Sequence, residues 1–223
     1  MIHYLDWDSA FFGFKIGKLT ISTFDQEWPS VNEFKTFDLV YIFSATPLEI
    51  EAPLMDIKVT FRKNTQKKEV DSKVEEYQSN LHSYQELLEL VYLSGHDSRF
   101  IKDPFFGVSA FQRLYKKWID NAIADEYTKV LVYVEEQKII GFVTYTQKND
   151  TVSIGLIAVS NNVQGMGIGK QLISAVENNV NEGIELVVPT QKTNVGACAF
   201  YHKLGFEVQN TDYIYHYESS TFQ

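Results

Sequence analysis

Two spacings of apolar residues alternate along the chain, and they predict where its strands and helices lie. In residues 151–159 every second position is apolar, which indicates a strand with one face turned to the core. We expect that face to carry Val152, Ile154, Leu156 and Ala158. After residue 166 the apolar positions come three or four apart, which indicates an amphipathic helix that begins near Gly167.

The same spacings, with glycine, proline and capping residues as boundaries, divide the rest of the chain. Strands are predicted at 14–21, 39–44, 57–61, 129–135, 138–147, 184–188, 206–208 and 213–217. Helices are predicted at 30–37, 83–95, 108–123 and 194–205. The highly charged residues 63–73 predict a solvated loop or linker.

The part of the chain before residue 80 differs from the part after it. From Ser83 onwards the predicted order is two helices, three strands, a helix, a strand, a helix and the last strands, which suits one core. The earlier part has scattered strands and ends in the charged stretch. We therefore predict a smaller α/β domain at 1–80 and a larger domain at 81–223.

A glycine-rich segment connects the predicted strand 151–159 to the helix after it. It reads Gln-Gly-Met-Gly-Ile-Gly-Lys from Gln164 to Lys170. Glycine lets the backbone turn tightly, and the start of a helix offers unpaired N–H groups, so such a loop can hold a phosphate. The spacing differs from the dinucleotide-binding pattern and from the P-loop, where a serine or threonine would replace Gln171. A turn without a ligand is the alternative for the loop taken alone.

A second motif follows at the predicted helix 194–205. Asn194 can cap that helix, and Gly205 can end it in a left-handed turn. The run reads Asn-x-x-Ala-x-x-Phe-Tyr-x-Lys-x-Gly-Phe and ends at Phe206. Together with the Gln-x-x-Gly-x-Gly loop it resembles the two signatures of the GNAT N-acetyltransferases. The resemblance implies an α+β (α/β) fold, in which helices flank a mixed, mostly antiparallel central sheet.

The resemblance also implies an acetyl-CoA site and an acid. In GNAT enzymes the glycine loop holds the pyrophosphate, the strand before it pairs with the pantetheine arm, and a tyrosine protonates the leaving thiolate. Tyr201 is then the candidate acid, and a packing role in the core is the alternative for it. For Asn194 the alternative is helix capping alone, and for Lys170 it is a solvated side chain. The implied donor-binding residues are Leu156, Ile157, Ala158, Val159, Gln164, Gly165, Met166, Gly167, Ile168, Gly169, Lys170, Asn194 and Tyr201.

A narrower resemblance concerns the acceptor. The segments 7–13, 98–104 and 189–194 resemble the dTDP-fucosamine acetyltransferases, which N-acetylate a 4-amino-4,6-dideoxyhexose on a nucleotide carrier. The resemblance implies that Arg99, Asp103 and Gln191 bind substrate, although an ordinary Asp–Arg surface pair is the alternative for the first two. Many GNAT enzymes place a glutamate on the strand before the loop, but residues 152–159 contain no carboxylate. We therefore expect water to carry away the proton of the acceptor amine.

Composition narrows the function class. A formal net charge of -9 disfavours nucleic acid as the main partner. The one cysteine, Cys198, excludes an intramolecular disulfide, the five histidines show no metal-ligand spacing, and no apolar run is long enough to span a bilayer. We predict a cytoplasmic enzyme without a metal, and leave a homodimer open. The competing functions are transfer to a peptide α-amine or another small amine, and a non-catalytic acyl-CoA-binding module.

Overall fold

The computed structural model describes residues 1–22, 28–69 and 73–219. Their strands are β1 (His3–Tyr4), β2 (Ile16–Ile21), β3 (Leu39–Ser44), β4 (Leu54–Asn64), β5 (Val74–Glu76), β6 (Thr128–Glu135), β7 (Lys138–Lys148), β8 (Thr151–Val159), β9 (Glu185–Gln191) and β10 (Glu207–Glu218). Their α-helices are α1 (Asp6–Phe12), α2 (Val31–Phe34), α3 (Tyr84–Ser94), α4 (Arg99–Lys102), α5 (Gly107–Ala124), α6 (Ile168–Asn179) and α7 (Val195–Lys203).

These strands form one sheet, in the order β1-β2-β3-β10-β4-β9-β8-β7-β6-β5. β2 is parallel to β3 and β8 is parallel to β9, while the other neighbours are antiparallel. The predicted mixed, mostly antiparallel sheet is therefore confirmed. β4 comes from the first 80 residues and lies between β10 and β9, so the sheet crosses the predicted domain boundary. The division at residue 80 stays a prediction.

Side chains alternate across the sheet and fill a core on each of its faces. In β6, Val130 and Val132 belong to the core under α3, α4 and α5. Leu131 and Tyr133 belong to the core under α6 and α7. We call these the α5 face and the α6 face of the sheet.

β8 and β9 separate along most of their length. Their parallel pairing covers only Thr151–Ser153 against Glu185–Val187. Beyond this, β8 continues to pair with β7, and β9 continues to pair with β4. The facing edges of β8 and β9 therefore leave a gap in the middle of the sheet, which opens towards the ends of the two strands at Val159 and Gln191.

A change of side within β8 corrects the predicted pattern of this strand. Val152 and Ile154 lie on the α6 face, but Leu156 and Ala158 pack against the core on the α5 face. The register between β7 and β8 shifts between these two pairs of residues. The expectation that all four residues share one face was therefore wrong, because a β-bulge reverses the alternation.

Thr144 of β7 and Gly155 of β8 form this bulge. The Oγ1 atom of Thr144 accepts a hydrogen bond from the N–H of Leu156 at 2.9 Å. A Cβ atom at position 155 would lie 2.9 Å from the same oxygen, so the close approach requires glycine. A side chain thus replaces the main-chain partner that regular pairing would give Leu156.

Other predictions also need correction. The predicted solvated loop at 63–73 overlaps the end of β4, where the side chain of Lys63 is 8% exposed and contacts Glu177 of α6 at 2.9 Å. Positions 70–72 of that prediction lie outside the described residues. The predicted strands 206–208 and 213–217 are one strand, β10. The prediction missed α1 and α4, because helices of one or two turns show too little periodicity to detect.

Candidate active site

The glycine-rich segment forms a loop that presents main-chain nitrogen atoms. A 3-10 turn (Asn161–Val163) leads from β8 to Gln164, and Gly165 and Gly167 adopt left-handed φ angles of 80° and 86°. α6 begins at Ile168, and no side chain of the described residues caps its start. Its first N–H groups and the positive end of its dipole are therefore directed at whatever lies beyond the loop, which favours an anion.

The predicted donor residues of this loop divide into exposed and anchoring ones. Ile168 is buried in the core on the α6 face, and Gly169 is half-buried against the ring of Phe200. Gln164 is exposed, and its Nε2 atom donates to the backbone oxygen of Val159 at 3.1 Å, which braces the loop against the end of β8. The remaining predicted residues of the loop are exposed: Gly165, Met166, Gly167 and Lys170.

The edge of β8 along the gap presents N–H groups to it. The N–H of Leu156 donates to a side chain of β7, and the N–H of Ser160 donates to the backbone oxygen of Ile140 in β7 at 2.8 Å. Successive peptide groups of a strand point to opposite edges. The N–H groups of Ile157 and Val159 therefore point away from β7 and into the gap.

Tyr201 lies on α7 within the core of the α6 face, with 2% of its surface exposed. Its ring centroid is 5.4 Å from that of Phe61, 5.3 Å from Phe200 and 5.5 Å from Phe206. Ile157 packs against the same core. Burial raises the pKa of Tyr201 well above its usual 10.0, and the Cys198 thiol group adds to the rise, so the phenol keeps its proton at neutral pH.

Asn194 caps α7, as the sequence predicts. Its Oδ1 atom accepts a hydrogen bond from the N–H of Ala197 at 3.0 Å. Its own N–H donates to the backbone oxygen of Gln191 at 2.9 Å, which joins the end of β9 to α7. Capping accounts for this asparagine, and contact with the donor stays a prediction.

Arg99 and Asp103 lie in a cluster on the α5 face and do not form a surface pair. Asp103 is 2% exposed, and its Oδ2 atom is hydrogen-bonded to Nδ1 of His216 in β10. The Cζ atom of Arg99 lies 5.1 Å from the ring centroid of Tyr41, and that centroid is 4.7 Å from the ring of His216. The partner of Asp103 is therefore a histidine, and Arg99 stacks on an aromatic ring.

Two further carboxyl groups lie near Arg99. Burial raises the pKa of Asp56 in β4 and of Asp8 in α1, while the Arg99 guanidinium lowers both. Lys102 and the Gln191 side chain also lower the pKa of Asp56. We call the whole group the acceptor-side cluster: Asp8, Tyr41, Asp56, Arg99, Asp103 and His216.

The strand order fixes where this cluster stands relative to the gap. Gln191 is on β9, which borders the gap, Asp56 is on the next strand, β4, and His216 is on the strand after that, β10. Asp56 pairs in register with Ile214, close to His216, so these residues lie at the same end of the sheet. This is also the end at which β8 and β9 are apart.

Sequence reasoning missed four members of this cluster. Asp8, Tyr41, Asp56 and His216 come from α1, β3, β4 and β10, and no local spacing links them. One local signal exists, because His216 interrupts the apolar run of β10 between two tyrosines and yet is 1% exposed. A polar residue at an inward-facing strand position is a departure from pattern that marks functional sites.

Two kinds of feature are absent from the described ranges 1–22, 28–69 and 73–219. No three His, Cys, Asp or Glu side chains in these ranges are grouped so that they could hold a metal ion. No helix in the same ranges combines the length and the apolar character that crossing a bilayer requires.

Comparison with known proteins identifies the class. The model of the acetyltransferase (GNAT) family matches residues 97–206, about half of the chain. The matched region contains the glycine loop and both strands that border the gap, together with α6 and α7. The chain belongs to the acetyltransferase (GNAT) family, whose enzymes use acetyl-CoA as co-substrate. The predicted fold and enzyme class are confirmed.

A curated relative and solved structures add detail. The spore coat polysaccharide biosynthesis protein SpsD of Bacillus subtilis is 24% identical over 132 residues, which are 58% of this chain and 46% of that protein. The chain thus matches about half the length of this relative. A conserved protein of unknown function from Staphylococcus epidermidis has a TM-score of 0.65 at 16% identity, over 91% of this chain and 83% of that one. A GCN5-related N-acetyltransferase from Sphaerobacter thermophilus has a TM-score of 0.54 at 14% identity, over 81% and 60% of the two chains.

Proposed function

We propose that the chain transfers the acetyl group of acetyl-CoA to the amine of a nucleotide-linked amino-deoxy sugar. The observation that carries the proposal is the gap between β8 and β9, which has the glycine loop at its end and the acceptor-side cluster beside it. The relative from Bacillus subtilis, named as a spore coat polysaccharide biosynthesis protein, supports a sugar as the acceptor. The resemblance of segments 98–104 and 189–194 to sugar acetyltransferases supports the same class.

The donor is bound mainly by the main chain in this proposal. The N–H groups from Gly167 to Gly169 hold the pyrophosphate at the start of α6, where the helix dipole favours a negative charge. The free edge of β8, from Leu156 to Val159, pairs with the amide groups of the pantetheine arm as an added strand would. Asn194, the N-cap of α7, and Lys170, in the first turn of α6, are further candidate contacts for the donor.

The chemistry uses a main-chain donor and one side chain. Acetyl-CoA supplies the acetyl group as an activated thioester. As the acceptor nitrogen attacks the carbonyl carbon and a C–N bond forms, the N–H of Ile157 stabilises the negative oxygen, a contribution of about 3 kcal/mol for a well-placed donor. Tyr201 then gives its phenolic proton to the sulfur as the C–S bond breaks, and the phenolate regains a proton from solvent before the next turnover.

The acceptor amine must lose a proton during the reaction, and we propose that water accepts it. No carboxylate stands on β8 itself. Asp56 is the one carboxylate of the acceptor-side cluster that lies on a strand, the second from the gap, so it tests the hypothesis. An Asp56→Asn variant should keep the wild-type shape of the pH–rate profile; disappearance of its acidic limb would instead identify Asp56 as the base.

The acceptor is to be identified by mass spectrometry. Purified protein with acetyl-CoA is offered nucleotide-linked 3-amino and 4-amino sugars, peptides with a free α-amine, and polyamines. We expect an acetylated sugar nucleotide and slower turnover of the other amines. The negative balance of the acceptor-side cluster makes polyamines the most demanding competitors, because a cluster of carboxylates attracts positively charged amines. Equal turnover of peptides or polyamines would contradict the sugar assignment.

A non-catalytic module is tested separately. Calorimetry should detect acetyl-CoA binding to the wild-type chain, and thiol release should follow only when an acceptor is added. Binding without turnover on any amine of the panel would favour an acyl-CoA-binding protein. The cytoplasmic location and a homodimer stay predictions.

A further inference from the structure

Three polar atoms of the acceptor-side cluster are buried and have no hydrogen-bond partner: Oη of Tyr41, Nε of Arg99 and Nε2 of His216. Among the described residues only one other side-chain atom, Oε2 of Glu177, shares this condition. A buried polar group without a partner costs about 1–3 kcal/mol. Two of these atoms belong to rings whose centroids are 4.7 Å apart, and the Arg99 guanidinium lies 5.1 Å from one of them, so the three atoms point to one ligand group that would pair with them.

The hydrogen-bonding character of the three atoms defines that group. Asp103 accepts from Nδ1 of His216, which leaves Nε2 of the neutral imidazole as an acceptor. Burial lowers the pKa of His216, and Arg99 acts in the same direction while Asp103 opposes it, so the ring stays neutral at pH 7. Arg99 donates, and the protonated phenol of Tyr41 donates or accepts.

A ligand group that satisfies all three atoms must both donate and accept. A phosphate or carboxylate has no proton for Nε2 of His216, and it would face the carboxylates of the cluster. An ammonium group cannot accept from Arg99. A hydroxyl group donates one hydrogen bond and accepts two, which matches the set.

The position of the three atoms shows which part of an acceptor they would meet. His216 is on β10, two strands from β9, and neighbouring strands lie about 4.8 Å apart, so the strand is about 10 Å from the border of the gap. The reacting amine must lie at the gap. The ligand group therefore belongs to a part of the acceptor several bonds away from the amine. Arg99 is half-buried, so its side chain is the member of the three that contacts solvent.

We propose that Tyr41, Arg99 and His216 bind a hydroxyl group of the acceptor, and that Asp103 is a positioning residue that fixes the orientation and tautomer of His216. The proposal rests on the proposed function, because it names the feature by which a hydroxylated amine is chosen over a simple one. It also assigns Arg99 to a neutral group of the sugar and leaves the phosphates of a nucleotide outside the cluster.

The test combines changes in the protein and in the acceptor. A nucleotide-linked amino-deoxy sugar is compared with analogues in which each remaining ring hydroxyl is replaced in turn by hydrogen, on the wild type and on Tyr41→Phe. For one of the hydroxyl groups, its removal from the acceptor or the Tyr41→Phe substitution alone should lower kcat/KM about 10-fold. Both changes together should lower kcat/KM little further. Tyr145→Phe is the control, because Tyr145 is a buried tyrosine on the opposite face of the sheet.

Asp103→Asn tests the positioning role. The amide of asparagine can donate to Nδ1 of His216, which moves the imidazole proton to Nε2 and turns the acceptor into a donor. KM for the hydroxylated sugar should rise about 10-fold while kcat is retained. A merely structural change would not raise KM selectively in this way.

Each outcome separates the two proposals. If the losses in kcat/KM from removing a hydroxyl group and from Tyr41→Phe add for every hydroxyl in the series, the inference is overturned. The three atoms would then bind water and not the acceptor. If that happens while the sugar is still acetylated, the proposed function stands. If the wild type acetylates only amines that lack hydroxyl groups, both proposals fall.

Discussion

The two sides of the candidate active site are built in different ways. On the proposed donor side the main chain would form the binding surface, and the loop from Gln164 to Lys170 is mostly exposed and continuous in sequence. On the proposed acceptor side the groups are buried or half-buried side chains from five elements: α1, β3, β4, α4 with its C-cap, and β10. A main-chain site needs only a local conformation, whereas a side-chain site needs the whole sheet to be assembled in the correct order.

This difference suits the two substrates. Every acetyl-CoA molecule presents the same diphosphate and amide groups, which main-chain atoms can bind without help from particular side chains. An acceptor must be distinguished from other amines, and this requires side chains with defined donors, acceptors and charges. We expect variants on the donor side to affect all acceptors equally, and variants on the acceptor side to depend on the acceptor.

The largest effect should come from Tyr201→Phe, on the donor side. Loss of the phenolic proton should lower kcat about 100-fold for every acceptor, because general acid catalysis of this kind contributes about 100-fold or more. Calorimetry should find acetyl-CoA binding unchanged. Tyr145→Phe removes a hydroxyl from the same core and should keep kcat. Unchanged turnover of Tyr201→Phe would leave Tyr201 with a packing role among Phe61, Phe200 and Phe206.

A smaller effect is expected for Gly167→Ala. Gly167 has a φ of 86°, and a Cβ atom there would meet no neighbour within 4 Å, so the cost is backbone strain of about 1–2 kcal/mol. Because the loop can relieve the strain by turning its N–H groups away, the Kd for acetyl-CoA should rise about 10-fold. Gly183 has a φ of 82° and the same open surroundings, and Gly183→Ala should lose similar stability without weakening the binding. Equal binding by the two variants would exclude the loop as the pyrophosphate site.

Disrupting the β8 bulge is expected to lower kcat a few-fold. Thr144→Val removes the oxygen that accepts from the N–H of Leu156, and a buried N–H left unpaired costs about 1–3 kcal/mol of folding stability. If the bulge relaxes, the N–H of Ile157 turns away from the gap and kcat falls with it. Thr146→Val is the matched control, because the hydroxyl of Thr146 pairs with that of Thr128 and not with β8. A loss of stability without any loss of kcat would separate the bulge from catalysis.

The sequence predicted the donor side better because its signals are local. The loop, the cap at Asn194 and the helix after Gly167 depend on neighbouring residues, and the structure has all three. The alternation of β8 was predicted to continue, and it failed at Gly155, because the bulge depends on a threonine of another strand. A glycine within a strand was the one local warning.

On the acceptor side, residues could be predicted only where a sequence segment resembles a known family. Arg99, Asp103 and Gln191 were selected through resemblance, and the structure brings them to one end of the sheet. Tyr41 and His216 could not be linked to them, since β3 and β10 are far apart in sequence and become neighbours only through the strand order. The partner of Asp103 could therefore not be predicted. The strands β3, β4 and β10 of the cluster were predicted at least in part, whereas the short helices α1 and α4 were missed.

The smallest expected effect is on the stability of the folded chain, which the buried carboxyl group of Asp56 on the acceptor side should lower. Burial raises the pKa of Asp56 above its usual 3.8 in the folded chain. As pH rises, the unfolded chain ionises first, so stability falls between the unfolded and the folded pKa and stays lower above both. Asp56→Asn removes this cost and should unfold at a modestly higher temperature at pH 7. The advantage should vanish below pH 3.8, where the carboxyl group is neutral in both states.

A matched variant makes this measurement decisive. Asp212 lies on the adjacent strand β10 in a half-exposed pair with Lys58, 2.9 Å away, so Asp212→Asn should be neutral or slightly destabilising at pH 7. Thermal unfolding of the two variants from pH 3 to pH 8 should therefore diverge, with a gain only for Asp56→Asn. If Asp56→Asn instead lost stability at neutral pH, then Arg99 and Lys102 would more than compensate for the burial of this carboxylate. The acceptor side would then be a stabilising part of the fold, and the contrast with the donor side would not extend to stability.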